Sequence, residues 1–204
     1  MLKLYFAAGT CALASHIALE EAGAAYEVER LDFSKSDQKS AGYLAVNPKG
    51  RVPTLQTDHG ILTETPAILA YIAQTMPAAA LAPVDPWNFA RAQAFNSYLC
   101  STVHVVHAHK GRGARWSDDP ATIENLKKKV SQNMADCFAM IEEGMITGPW
   151  VLGAGYGICD AYLFTISRWL EGDSVDIARF PKVNEHFGRM AARPAVQRVL
   201  ALHR

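Results

Sequence analysis

The stretch LKLYFAAGTCALASHIALEEAG, residues 2–23, decides how the rest of the chain is read. LKLYF (2–6) reads as a strand, and CALASHIALEEAG (11–23) as a helix with Leu13 and Ile17 on one face and Gly23 as its stop. The loop AAGT (7–10) joins them, so Cys11 falls where the helix opens. YEVERLDF (26–33) reads as a second strand, and the order βαβ implies a parallel pair joined by a right-handed crossover.

Working outward, residues 36–46 form a weak helix ended by Asn47, Pro48 and Gly50. VPTLQT (52–57) and ILTE (61–64), separated by Asp58, His59 and Gly60, form a hairpin. Thr65 is expected to cap the next helix, with Pro66 at its first position and Ile68, Leu69, Tyr71 and Ile72 as its apolar stripe. Residues 1–76 therefore read βαβαββα. PAAALAPVDP (77–86), with three prolines, is the linker, and residues 87–204 carry helix signals only: about 87–110, about 120–143, and shorter helices beginning near Ile158, Pro181 and Pro194. The fold class is α+β, with an N-terminal α/β layer followed by an all-α domain.

The bulk properties narrow the partners. Twenty basic residues balance twenty acidic ones in 204 residues, so no net field draws nucleic acid or an anionic membrane from a distance, and a small-molecule partner is expected. No apolar run reaches membrane-spanning length and the first twenty residues lack a signal-peptide core, which points to a cytoplasmic protein. The four cysteines, at 11, 100, 137 and 159, show no metal-type spacing, and Cys100, Cys137 and Cys159 are expected as small core residues.

Chemistry concentrates at three places. Cys11 at a helix N-terminus meets free N–H groups and a partial positive charge that favour thiolate over thiol. In C-A-L-A there is no second cysteine three residues on, so its disulfide partner has to be on another molecule. Pro53 cannot donate to a strand ladder, so either Val52 and Pro53 lie at an exposed edge or their bond is cis and turns the Val52 backbone toward a ligand. Glu64 and Thr65 bring a carboxylate, a hydroxyl and helix-start amides together, which suits the two charged ends of an amino acid. A helix-capping cysteine with a proline opening the third strand is the layout of thioredoxin-like folds. Tyr5 is expected in the core, GAGYG (153–157) as a loop, and Lys127, Lys128 and Lys129 as a solvated face.

The segments MLKLYFAAGTCALASHIALEEAG, YLAVNPKGRVPTL, LTETPAILAYIAQ, ICDAYLFTISRWLEG and RMAARPAVQRVL together closely resemble bacterial cytosolic glutathione transferases, especially the beta class. The resemblance runs nearly end to end and implies a thioredoxin-like glutathione-binding domain (1–76), a linker (77–86) and a helical domain (87–204) that contributes the electrophile site. It implies that Cys11 is the family's cysteine, that Val52 and Pro53 hold the cysteinyl part of glutathione, and that Glu64 and Thr65 hold its γ-glutamyl end, with Lys35 a further charge contact. A histidine facing the glutathione sulfur has two candidates: His104, which ends the matching string CSTVH but precedes Val105 in place of the family's lysine, and the literal pair His109–Lys110. The first is preferred. Trp116, Tyr162 and Trp169 are expected on the apolar side of the cleft, and Lys110, Arg112 and Arg115 on a basic wall.

Two departures from the family stand out: Ala12 replaces a frequent serine, and Gly157 stands where a Ser/Thr-x-x-Asp box ending at Asp160 has its hydroxyl, at an expected cost of a few tenths of a kcal/mol. His104, His107 and His109 lack carboxylate or cysteine companions at ligand spacing, so no metal is expected. The implied function is conjugation of the glutathione thiolate to small apolar electrophiles, with glutathione as co-substrate and a homodimer as the assembly. The alternatives are a thiol transferase or dehydroascorbate reductase working through a Cys11 mixed disulfide, and a non-catalytic binding protein that kept the fold.

Overall fold

The computed structural model describes residues 1–204. Its sheet comprises β1 (Leu2–Phe6), β2 (Tyr26–Arg30), β3 (Thr54–Thr57) and β4 (Gly60–Thr63), in the order β2-β1-β3-β4. β1 runs parallel to β2 and antiparallel to β3, and β3 pairs antiparallel with β4 across the Asp58–His59 turn. Leu4 and Leu55 face each other in the two central strands and are fully buried. The ladder begins at Thr54, one residue after Pro53, which has no N–H to give it.

Helix α1 (Ala12–Glu21) is buried along its whole first eight residues, so it is covered on both sides rather than amphipathic. Its small side chains, with Leu19, join the cluster that holds β1 and β3, whereas Leu13 and Ile17 pack the opposite way, with Phe164, Met190, Val196 and Val199. The expected apolar face therefore meets the helical half and not the sheet. Helix α3 (Thr65–Thr75) supplies Ile68, Leu69 and Ile72 to the sheet-side core.

The second expected helix is broken. Asp32 Oδ1 accepts from the Ser34 N–H at 2.9 Å and starts a 3₁₀ turn (Phe33–Lys35); Ser36 then adopts φ +61°, and a second turn (Asp37–Lys39) follows. Only α2 (Ala41–Val46), whose cap Ser40 Oγ accepts from the Tyr43 N–H at 3.2 Å, is α-helical. Side chains that bond their own backbone compete with the helix here. Thr65 likewise is not the cap of α3: Glu64 holds that position, and Thr65 is already helical.

After a short 3₁₀ turn (Pro77–Ala79), helix α4 (Pro86–Tyr98), capped by Asp85, continues through one wider π turn (Leu99–Val103) into α5 (His104–Arg112). Asp119 caps α6 (Pro120–Met140), and α7 (Ile158–Ser167), α8 (Pro181–Ala191) and α9 (Pro194–Leu202) complete the bundle. One cluster of 39 buried residues includes Leu4, Leu81, Phe138 and Tyr162, so strands, linker and helices share a core.

The linker also explains Gly157. The Leu81 carbonyl accepts from the Ile158 N–H at 2.8 Å, and a Cβ on residue 157 would lie 2.7 Å from that oxygen. The glycine is there to admit the linker, which corrects the expectation that serine would do slightly better. Gly157→Ala is expected to destabilise the protein by about 1–3 kcal/mol in urea unfolding; an unchanged midpoint would show that the linker moves aside freely.

Candidate functional site

A cleft of about 510 Å³ opens where the AAGT loop, residues 47–53, the end of β4 and the α4–α5 segment converge. Cys11 lies at its floor, 7% exposed, and its Sγ donates to the Val52 carbonyl at 3.5 Å. The Val52–Pro53 peptide is cis. This loop is braced from below: buried Asn47 donates through Nδ2 to the Arg51 carbonyl at 2.8 Å and to Thr54 Oγ1 at 2.9 Å, and the Tyr43 hydroxyl donates to the same carbonyl. Gly50, at φ +60° with the Gln38 carbonyl 2.9 Å from where a Cβ would be, lets the loop pass.

The thiolate expected of Cys11 is not what this environment favours. Burial pushes the Cys11 thiol up to about 11, while the Thr65 hydroxyl and, after it, the Arg112 charge pull less strongly the other way. Helix position is correct, but desolvation outweighs it, so Cys11 is a thiol at neutral pH.

Glu64 connects β4 to α3 with φ +74° and ψ +121°, a conformation side chains rarely adopt and one that clusters at functional sites. Its carboxylate faces the cleft and pairs with Lys49, whose ammonium also donates to Thr63 Oγ1 at 2.9 Å. Thr65 is buried beside it. Lys35 is elsewhere: it is exposed, pairs with Asp32 at 3.4 Å and does not line the cleft, because the 3₁₀ turn carries it outward. The lysines that do line it are Lys39 and Lys49, which sequence reasoning missed; the signal was the basic NPKGR loop directly before Val52.

The opposite wall is helical. His104 lines the cleft, half-buried, with its ring 4.9 Å from that of Trp169. Burial lowers its pKa to about 4, aided by His107 and by Arg112, Arg51 and Arg115, so it is neutral at pH 7. His109 and Lys110 do not line the cleft: His109 turns its ring edge-to-face onto Trp116, and Lys110 pairs with buried Asp173 at 3.5 Å. His107 stacks on Trp169 at 4.2 Å and bonds Asp173 at 2.7 Å, and the Trp169 indole N–H donates to the Gly9 carbonyl at 3.2 Å. These contacts anchor the helical wall to the AAGT loop.

Trp116, Tyr162 and Trp169 all reach the cleft, Tyr162 from full burial at its base. Cys100 does too, which corrects its expected place in the core; it sits in the π turn, and such turns re-aim the side chains they carry. No group of three or more His, Cys, Asp or Glu side chains is placed to hold a metal ion, and no helix is long and apolar enough to cross a membrane.

A four-stranded mixed sheet whose helix-start cysteine faces a cis-proline loop, closed by a helical half, defines a thioredoxin-like protein with an added helical domain. The profile of the glutathione S-transferase N-terminal domain family matches residues 1–74. Glutathione S-transferase GstA of Escherichia coli O157:H7 is 32% identical over 98% of both chains. A crystal structure of a glutathione transferase homologue from Sulfitobacter, with bound glutathione, superposes with TM-score 0.96 at 43% identity, covering 99% of this chain and 98% of its own. The beta-class glutathione S-transferase of Sphingomonas chungbukensis gives TM-score 0.85 at 31% identity over 98% of each chain. The chain belongs to the glutathione S-transferase family.

Proposed function

We propose that the chain binds reduced glutathione in this cleft and transfers its sulfur to an electrophilic carbon of a small second substrate. The observation that carries this reading is the convergence of Cys11, Val52, Glu64, Thr65 and His104 on one cavity. The Val52 backbone would hold the cysteinyl part, the Glu64 carboxylate the γ-glutamyl ammonium, and Thr65 with the start of α3 the adjoining carboxylate. A histidine held at about 4 is too weak a base to keep the thiol proton at neutral pH, so His104 serves as an N–H donor to the thiolate, with Arg112 adding positive potential. The thiol proton leaves to solvent, the sulfur forms a C–S bond, and the leaving group departs with its electron pair. Binding of glutathione by the Sulfitobacter homologue supports the co-substrate. The four free cysteines suit a reducing cytoplasm, and exposed Val84 and Trp87 offer apolar surface for the homodimer that the resemblance implies.

Purified protein with glutathione and a chlorodinitrobenzene is expected to form the thioether above the uncatalysed rate; no excess rate would overturn the reading. A second reading, thiol transfer, is favoured by one contact: the Cys11 thiol lies against the Val52 carbonyl, where the cysteinyl part would sit. Cys11→Ala is expected to retain conjugation within about tenfold while abolishing any glutathione adduct with the protein, since a buried thiol is a poor nucleophile. Loss of conjugation with the adduct would instead make Cys11 part of the transfer step.

A further inference from the structure

Three guanidiniums line the cleft without a partner. Arg51, Arg112 and Arg115 border the cavity, and none of them makes an ion pair or a side-chain hydrogen bond within the protein. By contrast, Arg193 pairs with Glu21 at 2.6 Å and Arg198 with Glu20 at 2.6 Å. The single carboxylate on the cleft, Glu64, is already paired with Lys49. The three charges are close enough to act on one another: after burial, Arg112 and Arg51 lower Arg115, and all three lower His104.

The charge balance exceeds what glutathione needs. With Lys39 and Lys49, the lining holds five cations against one carboxylate. Glutathione with its thiolate formed carries two carboxylates, one thiolate and one ammonium, which leaves an excess of about two positive charges by simple Coulomb counting. Arg112, Arg115 and Trp116 line the cleft from the end of α5 and the 3₁₀ turn after it, and Trp116 is 46% exposed although His109 packs on its ring. A guanidinium beside an aromatic ring suits a flat molecule that ends in an acid, because the planar fork grips a carboxylate bidentately while the ring takes the apolar body.

We propose that the second substrate is an anionic aromatic or conjugated electrophile, its carboxylate held by Arg112 and Arg115 and its ring placed against Trp116. This rests on the glutathione-transfer reading and departs from a wholly apolar electrophile. In the step concerned, the glutathione sulfur attacks the carbon bearing the leaving group, the C–S bond forms, and for a chloroarene the C–Cl bond breaks with chloride taking the electron pair.

The test uses two chloroarenes of one shape, a para-chloro-dinitrobenzoate and the matching neutral benzamide, each with glutathione and the full-length protein. The ratio of kcat/KM for benzoate over benzamide, each divided by its uncatalysed rate, is expected to exceed about tenfold, the worth of one charge-assisted hydrogen bond, and to fall as salt is raised. Arg112→Gln and Arg115→Gln should each lower that ratio by about fivefold to tenfold, with Arg→Lys recovering part of it. A wild-type ratio near one overturns the proposal. So does an equal loss for both electrophiles accompanied by a raised KM for glutathione, which would assign the guanidiniums to glutathione alone. If neither compound is conjugated, the transfer reading fails by itself, and binding followed by tryptophan fluorescence decides the anion site: tighter binding of the benzoate, lost in Arg112→Gln, upholds it, and equal or absent binding removes it.

Discussion

Asp160→Ala is expected to cost the native state about 3–5 kcal/mol, the toll of leaving buried hydrogen-bonding groups without the carboxylate they share. Asp160 is 1% exposed at the start of α7, and its two oxygens answer three donors. Oδ2 accepts from the Gly157 N–H at 2.8 Å, which caps the helix, while Oδ1 accepts from the Val151 N–H at 2.8 Å and contacts His186 Nε2 at 2.9 Å. One carboxylate thus ties α7 to the loop before it and to α8. Alanine would strand two backbone N–H groups and a fully buried imidazole, and each of these carries its own desolvation cost of about 1–3 kcal/mol. Helix α7 brings Tyr162 to the base of the cleft and packs on α1, which begins after Cys11, so the loss would reach the site through packing. Urea unfolding followed by circular dichroism reads the effect. Asp160→Asn should recover part of it, because one oxygen remains to accept. A loss below about 1 kcal/mol for Asp160→Ala would mean that water replaces the carboxylate, as it does for exposed polar groups.

The parts of the fold that could be read from sequence are those with local causes. LKLYF and the TLQT of VPTLQT are strands because of their own side chains and the breakers around them, while Val52 and Pro53 stay in the loop before the ladder; the Pro-rich stretch at 77–86 precedes the helical half for the same local reason. What escaped depends on distant neighbours. Nothing in CALASHIA tells that the helix is buried on both sides, because the second side is provided by Phe164 and Val196. Gly157 looks like a weakened cap until the Leu81 carbonyl is seen against it. The π turn at Leu99–Val103 has no periodicity of its own, yet Cys100 lies in it and His104 directly follows it, and both face the cleft.

The candidate site divides in the same way. Cys11, Val52, Glu64 and Thr65 were legible because each stands at a turn or helix end, where chemistry and backbone geometry are linked. Their electrostatic state was not legible. The helix-end argument treats Cys11 as if it were half solvated, and burial reverses its conclusion. Lys49 was hidden for a related reason: a lysine in a loop is ordinarily a solvated charge, and only the fold brings it to Glu64.

Acidification should destabilise the protein well before its carboxylates are titrated, through histidines that the fold keeps neutral. His16 Nδ1 and His203 Nε2 are 2.9 Å apart, and a hydrogen bond between two imidazoles needs one N–H and one free lone pair, so both rings cannot be protonated while it lasts. The pair is wedged on Phe6, at 5.3 Å and 4.6 Å between ring centroids, with Tyr26 edge-on to His16. Burial is the first cause of both shifts: His16 is lowered to about 4, with Glu20 opposing, and His203 to about 3, with His16 and then Arg168 and Arg30 assisting. The folded values lie below that of a free histidine, so the unfolded chain takes up protons first as pH falls. Stability is therefore complete above about pH 6.5 and declines below it, at up to about 1.4 kcal/mol per pH unit for each histidine. His104 adds to the same slope. After a discount for the partial exposure of His203, a loss of about 3 kcal/mol between pH 7 and pH 5 is expected. Glu20, held down by Arg198 and Tyr26, contributes only at lower pH. Urea midpoints across this range test the sign as well as the size, and His203→Phe should flatten the slope by removing one titrating ring. The contact closes α9 onto α1 and β1, and the Arg193–Glu21 and Arg198–Glu20 pairs reinforce the closure at the far end of the helix that starts beside Cys11. Stability that stays level from pH 7 to pH 5 would show that water reaches the imidazoles and that burial does not keep them neutral.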